Sequence, residues 1–298
     1  MTSREAEMLR QAGEIAGKAR DYGASLVKEG AKLLDVAERV EDFIINEGAE
    51  LAFPVNLSVN SQAAHYTPTH DDERVFRRGD LVKVDVGAHV DGYIGDTAVT
   101  VEVGTARQRQ LIEASSEALD AAISVIRPGV SVREVGQAVS AVISSFGFRP
   151  VRNLTGHQLK QYVLHAGLSI PSVDDGDNTI LREGMAVAVE PFASTGSGVV
   201  DGRTSGNIFH AVRIRRGVAE IDPLVAAIEA RKGLPFSERY LYKSDPDPEN
   251  FQKHLRKLHR MGVIRPYPIL SDTRGGLVSQ KEHSLLITAE GCEVLTKV

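Results

Sequence analysis

Asp85 and Asp96 flank the strongest turn signal in the chain. Asp85 sits inside the apolar run Leu81-Val82-Lys83-Val84-Asp85-Val86-Gly87-Ala88, and Asp96 follows Tyr93-Ile94-Gly95. Between them, Asp91-Gly92 reads as the tip of a β-hairpin. Residues that pair across a hairpin have a constant sum of numbers. A turn on Asp91-Gly92 makes that sum 183, sets Asp85 opposite Ala98, and places both carboxylates on one face as diagonal neighbours. A turn centred on Val90-Asp91 makes it 181 and sets the two face to face. A single bulge residue would break this parity. Two carboxylates this close repel, and burying them uncompensated is costly. One or two divalent cations are the natural compensation. The ordinary alternative, for an Asp near a strand end, is solvation or a pair with Arg or Lys.

The second half of the chain supplies further donors. His157 follows Asn153-Leu154-Thr155-Gly156, and His165 ends Tyr162-Val163-Leu164. Glu190 ends the apolar run Met185–Val189 and precedes Pro191, and Glu282 lies in Gln280-Lys281-Glu282-His283. Taken singly, each is explained by a hydrogen-bonded structural histidine or a solvated edge glutamate. Taken together, Asp, Asp, His, Glu and Glu all stand at strand ends. Hard carboxylates with one imidazole suit manganese, iron, cobalt or zinc. Four carboxylates can hold two such ions about 3.5–4 Å apart, two of them bridging.

The elements that must position these residues form an internal repeat. Gly30 and Gly48 bracket one amphipathic helix, and Gly129 and Gly147 bracket another of equal length, because 48 − 30 = 147 − 129 = 18. At an offset of 99, Val36, Val40 and Ile44 match Val135, Val139 and Ile143, along one helix face in each copy. Ser131-Val132-Arg133-Glu134 is a capping-box pattern that predicts a helix start. Earlier helices are expected at about 4–28 and 106–126. Strands are expected at about 57–60, 80–88 and 93–103, then at 151–155, 162–165, 185–193, 207–215, 276–280 and 283–288. Helices followed by antiparallel strands in each half predict an α+β fold with pseudo-twofold symmetry, its site where the two sheets meet. Residues 203–267 interrupt that order with charged helices expected at 221–232, 235–243 and 248–261, flanked by Pro246, Pro248, Pro266 and Pro268. They read as an inserted helical subdomain, leaving 1–202 and 268–298 as the main domain.

Composition sets wide bounds. The 298 residues are 42% hydrophobic, ample for a substantial core, and the net charge of −5 argues against general nucleic-acid binding. The single cysteine, Cys292, allows neither an intramolecular disulfide nor a cysteine-rich zinc site. The polar N-terminus has no signal-peptide core, and no apolar run is long enough to span a bilayer. A cytoplasmic protein without membrane or specific DNA partners is expected, as a monomer.

Several of these segments together resemble the methionine aminopeptidase family. They are Val84-Asp85-Val86-Gly87, Gly92-Tyr93-Ile94-Gly95-Asp96, Gly156-His157, Glu190-Pro191-Phe192 and Gln280-Lys281-Glu282-His283. The match runs over almost the whole chain, and the insertion between Glu190 and Glu282 resembles the type 2 subfamily. The absence of a charged N-terminal extension resembles its archaeal form. The resemblance implies the pita-bread fold and removal of the initiator methionine from nascent polypeptides whose second residue is small. It implies two divalent ions, with Asp85 chelating one, Asp96 and Glu282 bridging both, and His157 and Glu190 completing the other. An activated water would be the nucleophile and Glu190 the general base. His65 would contact substrate near the scissile amide, and His165 would steady its carbonyl. Phe53, Pro54 and Asn56 would form the methionine pocket, an apolar setting suited to a thioether.

Other features point elsewhere. An Xaa-Pro dipeptidase of the same fold would carry a separate domain before the first metal Asp, and Asp85 comes too early for one. A non-enzymatic relative would lack several of the five ligands. His70-Asp71-Asp72-Glu73 reads as a solvated loop, His89 as exposed near the turn, and Asp174-Asp175-Gly176-Asp177 as a surface turn without the glutamate of a calcium loop. Lys253, Arg256, Lys257 and Arg260 form a basic stripe on one helix face, with Leu255 and Leu258 inward. Such a stripe is ordinarily a solvated exterior. Its functional reading is attachment to ribosomal RNA, where nascent chains emerge.

Overall fold

A computed structural model describes residues 2–212, 214 and 222–298. Residues 213 and 215 of the expected 207–215 strand, and residue 221 of the expected helix, lie outside the described residues. Helices α1 (Ser3–Leu26) and α2 (Leu33–Asn46) open the chain. Strands β1 (Glu50–Leu51), β2 (Asn56–Val59) and β3 (Gln62–Ala64) precede a long hairpin of β4 (Leu81–Val90) and β5 (Tyr93–Glu102). The pattern restarts with α3 (Arg109–Val125), α4 (Val132–Ser145), β6 (Arg149–Pro150) and β7 (Thr155–Leu159). Strands β8 (Ser169–Pro171), β9 (Ala186–Val189), β10 (Phe192–Ser194) and β11 (Val200–Ala211) follow. Then come α5 (Pro223–Ala230), β12 (Phe236–Ser237), α6 (Glu238–Ser244) and α7 (Phe251–Arg260). Strand β13 (Ile264–Asp272) returns antiparallel to β11, and β14 (Val278–Gln280), β15 (His283–Ile287) and β16 (Cys292–Val294) end the chain.

The repeat is visible in the elements. Adding 99 to the bounds of α2 gives those of α4, and adding 99 to β1 gives β6. Each repeated helix ends the same way. Gly48 and Gly147 take positive φ, 88° and 80°, just past the helix. The next residue's N–H turns back to the third-last carbonyl, Ala49 to Ile44 and Phe148 to Ile143. This is a Schellman stop, which favours glycine because a Cβ is strained there. Ser131 and Glu134 form the expected capping box. Val36, Val40 and Ile44 are buried against the first sheet, and Val135, Val139 and Ile143 against the second half's core. Each such side chain contributes roughly 1.5–3 kcal/mol on burial.

The main hairpin takes the register with sum 183. Asp85 pairs with Ala98 and Gly87 with Asp96. Asp91 and Gly92 both have positive φ, 49° and 82°, as a tight two-residue turn that follows the strand twist requires.

Several expectations fail. No strand forms over 162–165: Tyr162 has φ 56° and donates its N–H to Gly92, so the segment wraps the hairpin turn. That loop covers His89, which is buried, not exposed, and whose Nδ1 accepts from the Gly92 N–H. Asp72 is also buried, accepting from the Tyr66 hydroxyl and from Arg74. His70 is half-buried, pairs with Glu238 of α6 and stacks on Tyr242, because α6 packs onto this loop. Asp174–Asp177 is exposed, as expected. Strand β11 starts earlier than 207, and β13 was not expected at all. Boundaries at 202/203 and 267/268 therefore fall inside paired strands. Among the described residues, no helix is long and apolar enough to cross a membrane.

Candidate metal centre

The two halves meet where β5 approaches the chain segment around Glu282. The Glu282 N–H donates to the Ala98 carbonyl at 3.1 Å. Hydroxyls stitch the rest of the seam. Thr97 Oγ1 donates to the Glu282 carbonyl at 2.7 Å, and Thr100 Oγ1 to that of Gln280 at 2.7 Å. Ser284 Oγ accepts from the Asp96 N–H at 2.8 Å and donates to its carbonyl at 2.9 Å. The backbones carrying Asp96 and Glu282 are thus bonded to each other before any ligand binds.

Five expected ligands converge on this seam. Asp85 and Asp96 share a face of the hairpin. His157 on β7 lies opposite Ala188 of β9, and Glu190 follows the end of β9. The His157 Nε2 is 3.6 Å from Asp96 Oδ2 and 3.8 Å from Glu190 Oε1. Asp96, His157 and Glu282 bring donor atoms within 4.8 Å of one another. Gln280, which sequence reasoning did not single out, donates from Nε2 to Glu190 Oε2 at 3.1 Å and to Glu282 Oε2 at 3.4 Å. Its place at the head of Gln280-Lys281-Glu282-His283, two residues before Glu282, was the available signal.

The electrostatics of this cluster call for a cation. Burial, followed by mutual repulsion, pushes Asp96, Glu190 and Glu282 well above the usual carboxylate range. Burial pushes Asp85 up to about 7. His157 falls to about 3, through burial first and then the neighbouring His165. Among the described residues lining the cavity there is no arginine or lysine. Asp85 Oδ1 and His157 Nδ1 are buried with no hydrogen-bond partner. An orphaned Asp85 oxygen among four carboxylates, with the His157 Nε2 facing Asp96 and Glu190, fits one or more divalent ions.

A proton linkage follows. For a carboxyl whose folded pKa is raised, the stabilising contribution is full below its unfolded value and is lost as pH rises through the folded value. For Asp85 that window runs from the ordinary 3.8 to about 7. The gap in melting temperature between metal-loaded and chelator-treated protein should therefore widen from pH 4 to 8, because the buried histidines are lowered in both forms and cancel in the difference. Melts of both forms across that range check this; a gap independent of pH would refute it.

Above the cluster lies a cavity of about 190 Å³. Phe53, Asn56, His65 and His165 line it with the five expected ligands. Pro54 does not; it is buried behind the wall, and its carbonyl accepts from Asn56 Nδ2. The Phe53 ring lies against Gly87, where an added Cβ would sit 2.2 Å from a ring atom. The hairpin face beside Asp85 must therefore stay bare. His65 takes φ 67°, and its Nδ1 donates to the Pro268 carbonyl at 3.2 Å, leaving Nε2 as the acceptor in the neutral ring. Burial and nearby His165 lower His65 to about 4. The His165 ring stands edge-on to His157 at 4.4 Å. Sequence reasoning missed Ile208, Pro235 and Tyr267, which line the cavity from the segment around the inserted helices.

The model of metallopeptidase family M24 matches residues 7–221. The chain belongs to this family. A methionine aminopeptidase of Archaeoglobus fulgidus is 46% identical over 294 residues, 98% of each chain. The crystal structure of a methionine aminopeptidase from Thermotoga maritima superposes with a TM-score of 0.72 at 26% identity, covering 100% of this chain and 98% of that one. A prolidase from Pyrococcus furiosus gives 0.64 at 23% identity, covering 100% of this chain but 65% of that one, and shows the fold alone. The fold of this M24 chain is the pita-bread α+β fold, two helix-backed halves of antiparallel strands around a central acidic seam.

Proposed function

We propose that the protein is a methionine aminopeptidase of type 2, in its archaeal form, acting in the cytoplasm on the N-termini of newly made chains. The observation that carries this is the set of four buried or half-buried carboxylates and one histidine in one cavity, with no arginine or lysine among its described lining residues. The long relative with 46% identity supports the substrate class. Asp85, Asp96, His157, Glu190 and Glu282 would hold two divalent ions drawn from cobalt, manganese, iron or zinc. When bound, such ions supply Lewis acidity and a water of lowered pKa.

The chain's own groups divide the remaining work. Glu190, fixed through Oε2 by Gln280, accepts a proton and passes it to the leaving amine. His65 and His165, both lowered below the usual imidazole range by desolvation within the cavity, offer uncharged hydrogen-bonding nitrogens to the scissile amide and its carbonyl. Phe53, Leu164, Ile208 and Pro235 give the cavity apolar walls for an unbranched thioether. The helices between β11 and β13 have an apolar cluster of their own and form the inserted unit. Its α7 exposes Lys253, Arg256, Lys257 and Arg260, the surface that salt-sensitive attachment to ribosomal RNA would use.

The test is peptide cleavage after loading with single metals. Met-Ala-Ser should be cut, and Met-Lys-Ser should be cut more slowly by roughly a hundredfold or more, as pocket discrimination allows. Release of leucine or lysine from peptide N-termini at comparable rates would mean a general aminopeptidase. Cleavage of Ala-Pro in preference to Met-Ala-Ser would mean a prolidase.

A further inference from the structure

Arg239 of α6 is among the largest fully buried side chains, 1% exposed. Arginine is seldom buried without a partner, and here Nη2 donates to Glu41 Oε1 of α2, itself buried. A buried ion pair is weak as a stabilising device, because desolvation offsets most of the attraction. The other bonds of this pair give it a different meaning.

Glu41 Oε1 also accepts the Val55 N–H at 3.2 Å. Arg239 Nη1 donates to Thr67 Oγ1 at 3.0 Å and to the Pro68 carbonyl at 2.5 Å. Thr67 Oγ1 in turn donates to the Val55 carbonyl at 2.8 Å. Both backbone polar groups of Val55 therefore end on groups bonded to one guanidinium. Val55 stands between Phe53 and Asn56 of one cavity wall, and Thr67 stands two residues past His65 of the other. The Leu57 N–H to Tyr66 carbonyl bond, 2.8 Å, ties the same two segments at a second point. A planar fork with fixed donor directions sets spacing in a way that a flexible ammonium does not.

We propose that the Arg239–Glu41 pair is a positioning device for the substrate pocket: it fixes the Phe53–Asn56 wall against the His65–Pro68 wall without touching substrate. The inference rests on the aminopeptidase reading, in which those walls receive the methionine residue. It gives the inserted helices a task inside the active site, since α6 supplies the guanidinium.

The experiment uses the full chain, metal-loaded, with three variants: Arg239→Met, Arg239→Lys, and the double variant Glu41→Leu with Arg239→Met. Steady-state constants on Met-Ala-Ser, melting temperature and metal stoichiometry are read for each. Displaced walls should raise KM about tenfold, since small misplacements of positioning groups cost of that order or more. Metal content should stay at the parental value and kcat should change much less than KM. The double variant removes both buried charges but leaves the Val55 N–H and Pro68 carbonyl unpaired, so its melting temperature should recover part of the loss seen in Arg239→Met while KM stays raised. Arg239→Lys should fall between, as the conservative replacement. A double variant with parental KM, or a KM rise that follows melting temperature across the three variants, overturns the inference. A parent that leaves Met-Ala-Ser uncut overturns the aminopeptidase reading, and this inference with it.

Discussion

Glu282→Ala is expected to lower turnover of Met-Ala-Ser by orders of magnitude, lower metal stoichiometry, and leave the fold intact. The three effects have separate causes. Glu282 is placed by its backbone, whose N–H bonds to Ala98 and whose carbonyl accepts from Thr97; alanine keeps both bonds. The seam between the halves therefore survives. What disappears is the carboxylate that the C-terminal part of the chain places on the seam, where Asp96, Glu190 and Asp85 repel it. Without it, the divalent ions proposed for this site would lose a ligand and part of their charge compensation. A thousandfold loss corresponds to about 4 kcal/mol of barrier, a plausible cost for a whole ligand. The chelated variant should melt at or above the chelated parent at pH 8, because one member of a repelling cluster is gone. Near-normal activity, or a chelated variant much less stable than the chelated parent, would show that Glu282 serves structure more than metal.

The parts of this molecule that could be read from sequence are those whose chemistry is local. Asp91-Gly92 specified the turn because both positions need positive φ, and the turn then set the register that places Asp85 and Asp96 on one face. Gly48 and Gly147 marked helix ends for the same conformational reason. The 203–267 region was harder. Strand β13 carries Pro266 and Pro268, which argue against a central strand. It forms because β11 pairs with it through register shifts, Phe209 opposite Pro266 and Ser205 opposite Pro268. The apolar run at Tyr162-Val163-Leu164 misled in the opposite way, since it wraps the hairpin turn as a loop that buries Leu164 and leaves Val163 exposed. His70 and His89 were misread because a helix and a loop distant in sequence cover them, and Asp72 because its neighbours Tyr66 and Arg74 hold it inward. Tyr267, Pro235 and Arg239 reach the cavity or its walls from the insertion, and no spacing rule links them to the five ligands.

The histidines are expected to separate from the ligands by one measurement. His165→Ala should reduce turnover roughly a hundredfold to a thousandfold, as loss of a hydrogen-bonding group to a developing oxyanion does elsewhere, with metal stoichiometry unchanged. Its ring stands 4.4 Å from that of His157, close enough to be mistaken for a ligand. The donor groups within 4.8 Å of one another, however, come from Asp96, His157 and Glu282. His65 needs a different substitution. Its φ of 67° strains most residues with a Cβ, so alanine would mix a backbone effect with the loss of the ring. Asparagine tolerates that conformation, and His65→Asn isolates the imidazole. It should also cut turnover strongly at constant metal content. Because burial holds His65 near 4, its ring is uncharged from pH 6 upward. No step in the rate profile between pH 6 and 9 should therefore vanish in His65→Asn. Loss of an ion in His165→Ala would move that residue into the ligand set and displace His157 from it. Loss of an ion in His65→Asn would instead place the metals on the opposite wall of the cavity, away from the seam.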